Sequence, residues 1–550
     1  MAVGSILENL SNQKLCYIFA FLGVIQLIFI AIGALVAPVP STSMEFEMLK
    51  CRDKDGGRTD KWFHLRPQNC DMLEDLSEYK PVSYDLRDIV FMAQMPHARD
   101  GQQLYYSPWF QYFLGILIIE SEYDPFGTTP PLDMVPHAHM KLEVRMGYRN
   151  EDDPPTEWKE LYKGNVSKYL DCTLSKKTQG ASYECPVEDL FEFGANNYPF
   201  YLLNIRLPID PKACERDRTK GANCALGFLR NLRVVAIHQN GGFTLVWLWL
   251  KTAVFPMIVL ALHWYNRRLS ALPRASTLLE RAILAVGVAT AVLDAPIEWC
   301  TLFVRIPFML LLNDIRQGLF YGVLFSFWLI FAGEHLIDDR ARNSLANYWR
   351  NLTLIIIASS ALLIYDIFER GYQLADPFYS IWATETGPSW AYATIYTAIA
   401  CTVCYFIFLF YRIGMVWTTI RSKREAQLYR TSEHRRLKVE AVIFRFKFLM
   451  IFTVFCCALT IISYFMRQFG EASLHDDPDD SIMQESSSAF FTGVFGMWNI
   501  YVLLLISMYA PSHKVYSGAS ALEEDEDLLE GTSSAVESNP LTTFLKPATD

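Results

Sequence analysis

The chain has 550 residues, of which 51% are hydrophobic, 14% aromatic and only 20% charged, and its formal net charge is −10. Because this charge is small and acidic for the length, a basic nucleic-acid-binding protein is excluded. A mean hydropathy of +0.14 points instead to a membrane protein.

Apolar segments follow a one-plus-seven arrangement along the chain. Residues 15–37 carry no charge and are long enough to cross a bilayer as a helix. Residues 38–242 are too polar for another crossing and form an inserted domain. Seven more apolar segments follow, at 243–265, 282–304, 318–336, 352–369, 389–411, 446–466 and 489–510. We therefore expect an α-helical membrane protein with eight transmembrane helices.

The first apolar segment has two interpretations. Small residues at its end, Ala34 and Ala37, are compatible with a cleaved signal peptide. Its apolar run is about twice as long as a signal core, however, and Lys14 is the one basic residue before it. These features favour an uncleaved anchor.

Basic residues are concentrated in every second loop between the predicted helices, at 267–281, 340–350 and 421–447. Loops rich in Lys and Arg stay in the cytoplasm. We therefore expect both termini to be cytoplasmic, with residues 1–14 at one end and a disordered tail, 511–550, at the other. The inserted domain is then lumenal or extracellular.

The inserted domain shows the two-residue alternation of half-buried strands. This alternation occurs at 140–148, 203–207 and 232–234, and residues 113–119 form a shorter apolar strand. Several antiparallel strands separated by Pro- and Gly-rich turns predict a β-sandwich. Such a domain is usually a binding platform, and no nucleophile motif or phosphate-binding glycine loop occurs in it.

Cysteines of the inserted domain lie at short spacings in a compartment that permits disulfides. The simplest of the fifteen connectivities is short-range pairing. It joins Cys51 to Cys70, Cys172 to Cys185 and Cys214 to Cys224. In addition, Asn165-Val166-Ser167 is an N-glycosylation acceptor on the same side of the membrane.

Several ionisable side chains fall within or beside the predicted spans, where charge is costly and often functional. They are Asp294, Glu298, Glu334, His335 and Asp366. Two interpretations remain open. In the first, the groups either pair with Arg305, Arg316 and Arg370 or line a wet crevice near a membrane surface. In the second, they line a polar cavity between helices.

The predicted spans contain too few metal-ligating side chains for an intramembrane metalloenzyme. A zinc hydrolase needs several fixed ligands for its metal, but of ten histidines only His263 and His335 fall in predicted spans. No buried serine–histidine pair stands out for a serine hydrolase. We therefore expect no catalytic residues, no metal and no cofactor.

Long motifs in this chain resemble those of the Wntless family. They are FYLLNIRLP at 200–208, IHQNGGFT at 237–244, DIRQGLFY at 314–321, FAGEH at 331–335, DPFYSIW at 376–382, FRFKFLM at 444–450 and YAPSHK at 509–514. The similarity covers about residues 1–515. Members of this family escort lipid-modified Wnt proteins to the cell surface.

The resemblance implies a lumenal β-sandwich on a GPCR-like seven-helix domain, 243–510. A Wnt protein would rest on the sandwich while its palmitoleoyl-bearing hairpin enters an apolar cavity between helices. The aromatic residues expected at this cavity are Phe325, Phe327, Trp328, Phe331, Phe378, Tyr379 and Trp382. They point around more than one helix face, so not all of them can line a single cavity.

The resemblance also implies passage through the endoplasmic reticulum, Golgi apparatus, plasma membrane and endosomes. Membrane lipids, clathrin adaptors and the endosomal recycling machinery would then be further partners. The tail contains Glu524 followed by Leu528 and Leu529, an acidic dileucine pattern of the kind that clathrin adaptors bind. A solvated acidic stretch is the alternative interpretation of this tail.

A signalling receptor is the second functional hypothesis. Its sandwich would sense a ligand, and its basic third cytoplasmic loop would engage a transducer. Residues 338–342, after the fourth span, contain no Asp-Arg-Tyr-like activation motif. Capture of acylated Wnt would support the carrier, whereas ligand-dependent G-protein coupling would support the receptor.

Overall fold

The computed structural model describes residues 12–53, 70–74, 88–99, 102–124, 133–217, 219–334, 344–384, 386–428, 450–459 without 457, and 481–511, together with residues 6 and 76. These residues form a β domain, inserted after the first long helix, and a bundle of long helices.

The β domain consists of antiparallel strands in two main sheets. Its strands are β1 (Ser41–Glu47), β2 (Leu49–Asp53), β3 (Cys70–Leu73), β4 (Ile89–Met95), β5 (Ala98–Arg99), β6 (Gln102–Gln103), β7 (Phe113–Glu122), β8 (Ala138–Arg149), β9 (Lys159–Leu170), β10 (Glu188–Phe193), β11 (Phe200–Arg206) and β12 (Phe228–Gln239). The four-stranded sheet has the order β1-β12-β7-β10, and the six-stranded sheet the order β3-β2-β4-β11-β8-β9. Strands β5 and β6 form a separate hairpin.

Alternating side chains build the core between the two sheets. In β7 every second residue from Phe113 is buried, and the same pattern starts β8 at Ala138. Apolar side chains of both sheets meet in one cluster. The four strands expected from the sequence fall on β7, β8, β11 and β12, so the β-sandwich is confirmed.

Disulfides close two loops of the sandwich. They join Cys172 to Cys185 and Cys214 to Cys224, which are two of the three expected pairs. Cys51 is also disulfide-bonded, and its strand pairs with the strand that begins at Cys70. The side chain of Cys70 lies outside the described residues, so the third pair stays a prediction.

The helices are α1 (Asn12–Leu35), α2 (Pro211–Arg216), α3 (Gly241–Ser270), α4 (Leu278–Asp294), α5 (Met309–Glu334), α6 (Trp349–Gln373), α7 (Gly387–Leu428) and α8 (Ser481–Met508). A further helical stretch is named here the 450–459 segment. In the described part of the chain, 6 helices are long and apolar enough to span a membrane: α1, α3, α5, α6, α7 and α8. The expected span at 446–466 lies largely outside the described residues.

The expected span at 282–304 is not one continuous helix. Helix α4 ends at Asp294, and the chain resumes as a 3-10 helix at Ile297–Leu302. Pro296 explains the break, because proline lacks an N–H and forces the preceding residue out of helical geometry. Hydropathy therefore identified the apolar stretch correctly, but the expectation that this stretch forms one continuous helix was wrong.

Helix α1 packs along α8 through small residues. A Cβ added to Gly33 would lie 2.5 Å from the Cα of Ala489, and one on Gly496 would meet the ring of Phe29. Such small side chains allow two membrane helices to approach closely. The first apolar segment is thus part of the bundle, which favours the anchor interpretation.

Candidate functional site

The bundle contains an apolar cavity between α5, α7, α8 and the 450–459 segment. Its volume is about 180 Å³, roughly ten times what one water molecule requires. The lining side chains are Phe327, Trp328, Phe331, Phe406, Leu409, Phe410, Ile413, Met450, Thr453, Val454, Ala458 and Tyr501. A cavity with this lining suits a hydrocarbon chain.

The few polar atoms in the lining bind one another. The indole N–H of Trp328 donates to the hydroxyl oxygen of Tyr501 at 3.0 Å. The hydroxyl oxygen of Thr453 lies 3.0 Å from the same atom. Because these groups are already hydrogen-bonded, the cavity presents mainly hydrocarbon to an occupant.

The helical period of α5 creates one wall of this cavity. Leu324, Phe327, Trp328 and Phe331 lie three or four residues apart and are all buried, so they share one face of the helix. Phe325 lies outside this stripe, with its ring 5.4 Å from that of Tyr405. Of the aromatic residues expected at the cavity, three therefore line it and Phe325 packs beside it.

The remaining expected cavity residues lie in the loop between α6 and α7. Tyr379 stacks on Tyr372 at 5.0 Å, and Trp382 packs against Tyr392 at 5.1 Å between ring centroids. Phe378 lies in the core of the sandwich. The structure does not bring these three residues to the cavity.

Distance along the bundle explains this separation. We name the sandwich end of the bundle as the end where α3 begins, directly after β12. The backbone of Gly194 in the sandwich packs against Pro307, just before α5. Phe327 lies 18 residues after Met309, the first residue of α5, so the cavity lies about 27 Å from the sandwich end.

A cluster of buried charges lies between α3, the 3-10 helix and α5. The Lys251 ammonium is 2.5 Å from one oxygen of Glu298, and the Arg316 guanidinium is 3.3 Å from the same oxygen. Asp294 is buried beside them and lies close to Asn499 of α8. Pairing offsets the cost of removing these charges from water.

Arg316 also caps the C-terminal end of α4, where the helix breaks. Its guanidinium donates to the backbone carbonyls of Val292, Leu293 and Ala295 at 2.8, 2.5 and 2.6 Å. Carbonyls at a helix end have no partner within the helix. The same side chain therefore balances the charge of Glu298 and satisfies the acceptors that the break at Pro296 exposes.

The structure separates the other expected intramembrane groups from this cluster. Glu334 lies at the opposite end of α5, where its carboxylate accepts a hydrogen bond from Tyr348 at 2.8 Å. Asp366 is half-buried on α6. His335 lies outside the described residues. Among the residues that the structure describes, no group of three or more His, Cys, Asp or Glu could hold a metal ion.

Comparison with known proteins decides the family. The description "Wntless, GOLD domain" matches residues 49–239, and "Wntless-like, transmembrane domain" matches residues 240–513. The protein wntless homolog of Caenorhabditis elegans is 56% identical over 557 residues, which cover 100% of both chains. The Homo sapiens homolog is 40% identical over 93% of this chain and 92% of its own length. Protein wntless of Drosophila virilis is 41% identical over 93% of this chain and 90% of its own length.

The chain belongs to the Wntless family. It is accordingly a multi-pass membrane protein in which a GOLD domain, the β-sandwich, precedes the transmembrane domain. The boundary between the two matched regions coincides with a structural change, because β12 ends at Gln239 and α3 begins at Gly241. The side chain of Asn240 accepts a hydrogen bond from the Gly242 N–H at 2.9 Å and caps α3.

The Wntless GOLD domain is joined to the helices by contacts that sequence reasoning missed. The ring of Phe378 lies 6.5 Å from that of Phe191 in the GOLD core. The Glu192 N–H donates to the Pro377 carbonyl at 3.0 Å, and the Glu192 carboxylate binds Arg370 of α6. The aromatic residues at 378–382 were a sequence signal that this loop packs against something. A local pattern does not show, however, which domain such side chains enter.

Asn165 is exposed on β9, the edge strand of the six-stranded sheet, and its glycosylation stays a prediction. The tail residues Glu524, Leu528 and Leu529 lie outside the described residues.

Proposed function

We propose that this Wntless-family protein is a cargo receptor that binds palmitoleoylated Wnt proteins in the secretory pathway, carries them to the cell surface and then recycles. Family membership ties the chain to the Wnt pathway. The observation that carries the proposal is the apolar cavity inside the bundle, because its lining can shield from water the part of a fatty-acyl chain that enters it.

The energetics of an acyl chain explain why a carrier needs such a cavity. A chain with about fifteen buried carbons gains on the order of 10 kcal/mol on leaving water, at roughly 0.8 kcal/mol per CH₂. The same free energy would drive a free acylated protein into membranes or aggregates. A receptor competes with these outcomes when it offers an apolar site of its own.

The depth of the cavity indicates how the cargo is held. A protein resting on the GOLD domain is separated from the cavity by about 27 Å of helix. An acyl chain attached to that protein reaches the cavity when the loop that bears it also enters the bundle. This depth supports the expectation, implied by the family resemblance, that the acyl group is carried into the bundle on a hairpin of the cargo.

The proposal includes an orientation and a route. The charges of the loops favour a lumenal GOLD domain and cytoplasmic termini. The receptor would pass through the endoplasmic reticulum, Golgi apparatus, plasma membrane and endosomes. Clathrin adaptors and the recycling machinery would then act on its cytoplasmic side, where the dileucine pattern ending at Leu529 lies.

Co-immunoprecipitation with a co-expressed Wnt protein tests the proposal. We expect at least tenfold stronger capture of the acylated form than of a variant whose acylated serine is replaced by alanine. Equal capture of both forms would move recognition to the GOLD domain and contradict the role of the cavity. Capture of neither, together with ligand-dependent G-protein coupling, would establish the signalling receptor instead.

A further inference from the structure

A short loop at the sandwich end of the bundle exposes large apolar side chains. It joins the 3-10 helix at Ile297–Leu302 to α5, and we name residues 303–308 the apolar loop. Phe303 is 83% exposed, Val304 61% and Phe308 49%. A contiguous apolar surface of this kind marks a site for a membrane or for a protein partner.

The apolar loop lies at the edge of the hydrocarbon layer on the side of the GOLD domain. The uncharged run of α1 ends just before Pro38, and α3 begins at the same level, because a Cβ on Gly242 would lie 2.9 Å from Pro38. About 10 Å further along α3, Trp249 packs against Trp299 of the 3-10 helix. Since a 3-10 helix rises about 2 Å per residue, Phe303 lies about 8 Å back towards that edge.

Arg305 lies in the middle of the apolar loop and has donors to spare. The other two arginines expected to pair with acidic side chains, Arg316 and Arg370, bind carboxylates. Arg305 is exposed and lies instead over the ring of Tyr198, 4.7 Å from its centroid, and it donates to the Tyr198 hydroxyl oxygen at 3.1 Å. No described carboxylate forms an ion pair with it. Because a guanidinium has five N–H groups, most of them remain for an anion.

The contact between Arg305 and Tyr198 connects the apolar loop to the GOLD domain. Tyr198 belongs to the segment between β10 and β11, and its ring lies 3.9 Å from that of Tyr148 on β8. In the same segment, a Cβ on Gly194 would lie 2.6 Å from the carbonyl oxygen of Pro307. An anion bound by Arg305 would therefore lie at the junction of the two domains.

We propose that the apolar loop is a phospholipid site, in which its exposed apolar side chains insert among acyl chains and Arg305 binds the phosphate of the headgroup. A guanidinium matches phosphate through two parallel N–H···O bonds. The edge of the hydrocarbon layer is where the acyl chains and the phosphate of one lipid meet. A lipid bound here fixes the GOLD domain against the bilayer surface through Tyr198. This inference goes beyond the proposed function and does not depend on cargo.

A protein partner fits the apolar loop less well than a lipid does. At this depth a protein would have to displace the headgroup layer, whereas phospholipid is already present there. The neighbouring Trp249 is 59% exposed, and tryptophan is enriched at membrane–water interfaces. The surroundings of the loop are therefore those of a membrane-facing surface.

Native mass spectrometry of the full-length protein in maltoside micelles tests the site. The probe is dioleoylphosphatidylcholine, and dioleoylglycerol is the reference with the same chains and no phosphate. Arg305→Gln removes the charge, and Phe303→Ser removes the most exposed side chain of the loop. Arg216→Gln is the matched control, because Arg216 is exposed on α2, which follows the opposite end of β11 from Tyr198.

We expect wild type and Arg216→Gln to retain one phosphatidylcholine that both loop variants bind at least tenfold more weakly. Arg305→Gln should bind dioleoylglycerol as wild type does, because that lipid offers no phosphate. Melting temperatures in lipid-free micelles equal to that of wild type would show that the variants are folded. Should Phe303→Ser not fold, Arg305→Gln decides, because its side chain is exposed and makes no ion pair with a described residue.

Three results would overturn the proposal. In the first, all four proteins retain phosphatidylcholine equally. In the second, only Phe303→Ser loses it, which would leave an apolar contact without a phosphate site. In the third, the loop variants keep the lipid but lose capture of a co-expressed acylated Wnt, which would assign the apolar loop to a protein partner.

Discussion

Replacing Arg316 with leucine is expected to lower the free energy of unfolding of the transmembrane domain by roughly 3–5 kcal/mol. The change removes one of the two cations that bind Glu298 and leaves the carbonyls of Val292, Leu293 and Ala295 without this donor. Each buried acceptor that loses its donor costs about 1–3 kcal/mol. Thermal unfolding of the purified protein in nanodiscs measures the loss.

Arg281→Leu provides the matched control for this experiment. Arg281 is exposed on α4, so the same substitution there should change the free energy of unfolding by no more than about 0.5 kcal/mol. If the Arg316→Leu and Arg281→Leu variants unfold at the same temperature, Arg316 does not stabilise the C-terminal end of α4 and our description of the charge cluster is incorrect.

Phe378→Ala is expected to destabilise the GOLD domain by about 3–5 kcal/mol, although Phe378 belongs to a loop between two helices. Phe378 is only 5% exposed, and a Cβ on Gly164 would lie 2.7 Å from its ring. Removing the ring leaves a cavity in the GOLD core and loosens the junction with α6 and α7. Hydrogen exchange measures the effect as faster exchange of the amides in β9 and β10.

Phe368→Ala is the control for the junction. Phe368 lies on α6 with 51% of its surface exposed, so its loss should leave exchange in β9 and β10 unchanged. Wild-type exchange in the Phe378→Ala variant would show that the loop is not part of the GOLD core in solution.

Local patterns allowed much of the architecture to be predicted. The alternation at 140–148 produces β8 because inward and outward side chains of a strand alternate strictly. The uncharged run at 15–37 corresponds to α1, and the apolar run at 389–411 lies within α7. In each case the signal is contained in the residues of the element itself.

Contacts between distant segments could not be predicted in the same way. Lys251 lies 47 residues from Glu298, and nothing local shows that α3 brings the two together. A lysine inside an apolar span was nevertheless a usable signal, because such charges need partners. The position of Phe378 depends on how the GOLD domain sits on the helices, and its sequence neighbours contain no information about that.

The central claim is that the cavity binds the acyl chain of the cargo, and a cycle of capture measurements tests it most directly. Leu409→Trp fills the cavity from α7, whereas Ile407→Trp adds the same side chain at a position of that helix that is 64% exposed. Capture of acylated and of unacylated Wnt is measured with each variant and with wild type. The account predicts that only Leu409→Trp lowers capture of acylated Wnt, at least tenfold and to the level of the unacylated form. A folded Leu409→Trp variant that captures acylated Wnt as well as wild type would contradict it.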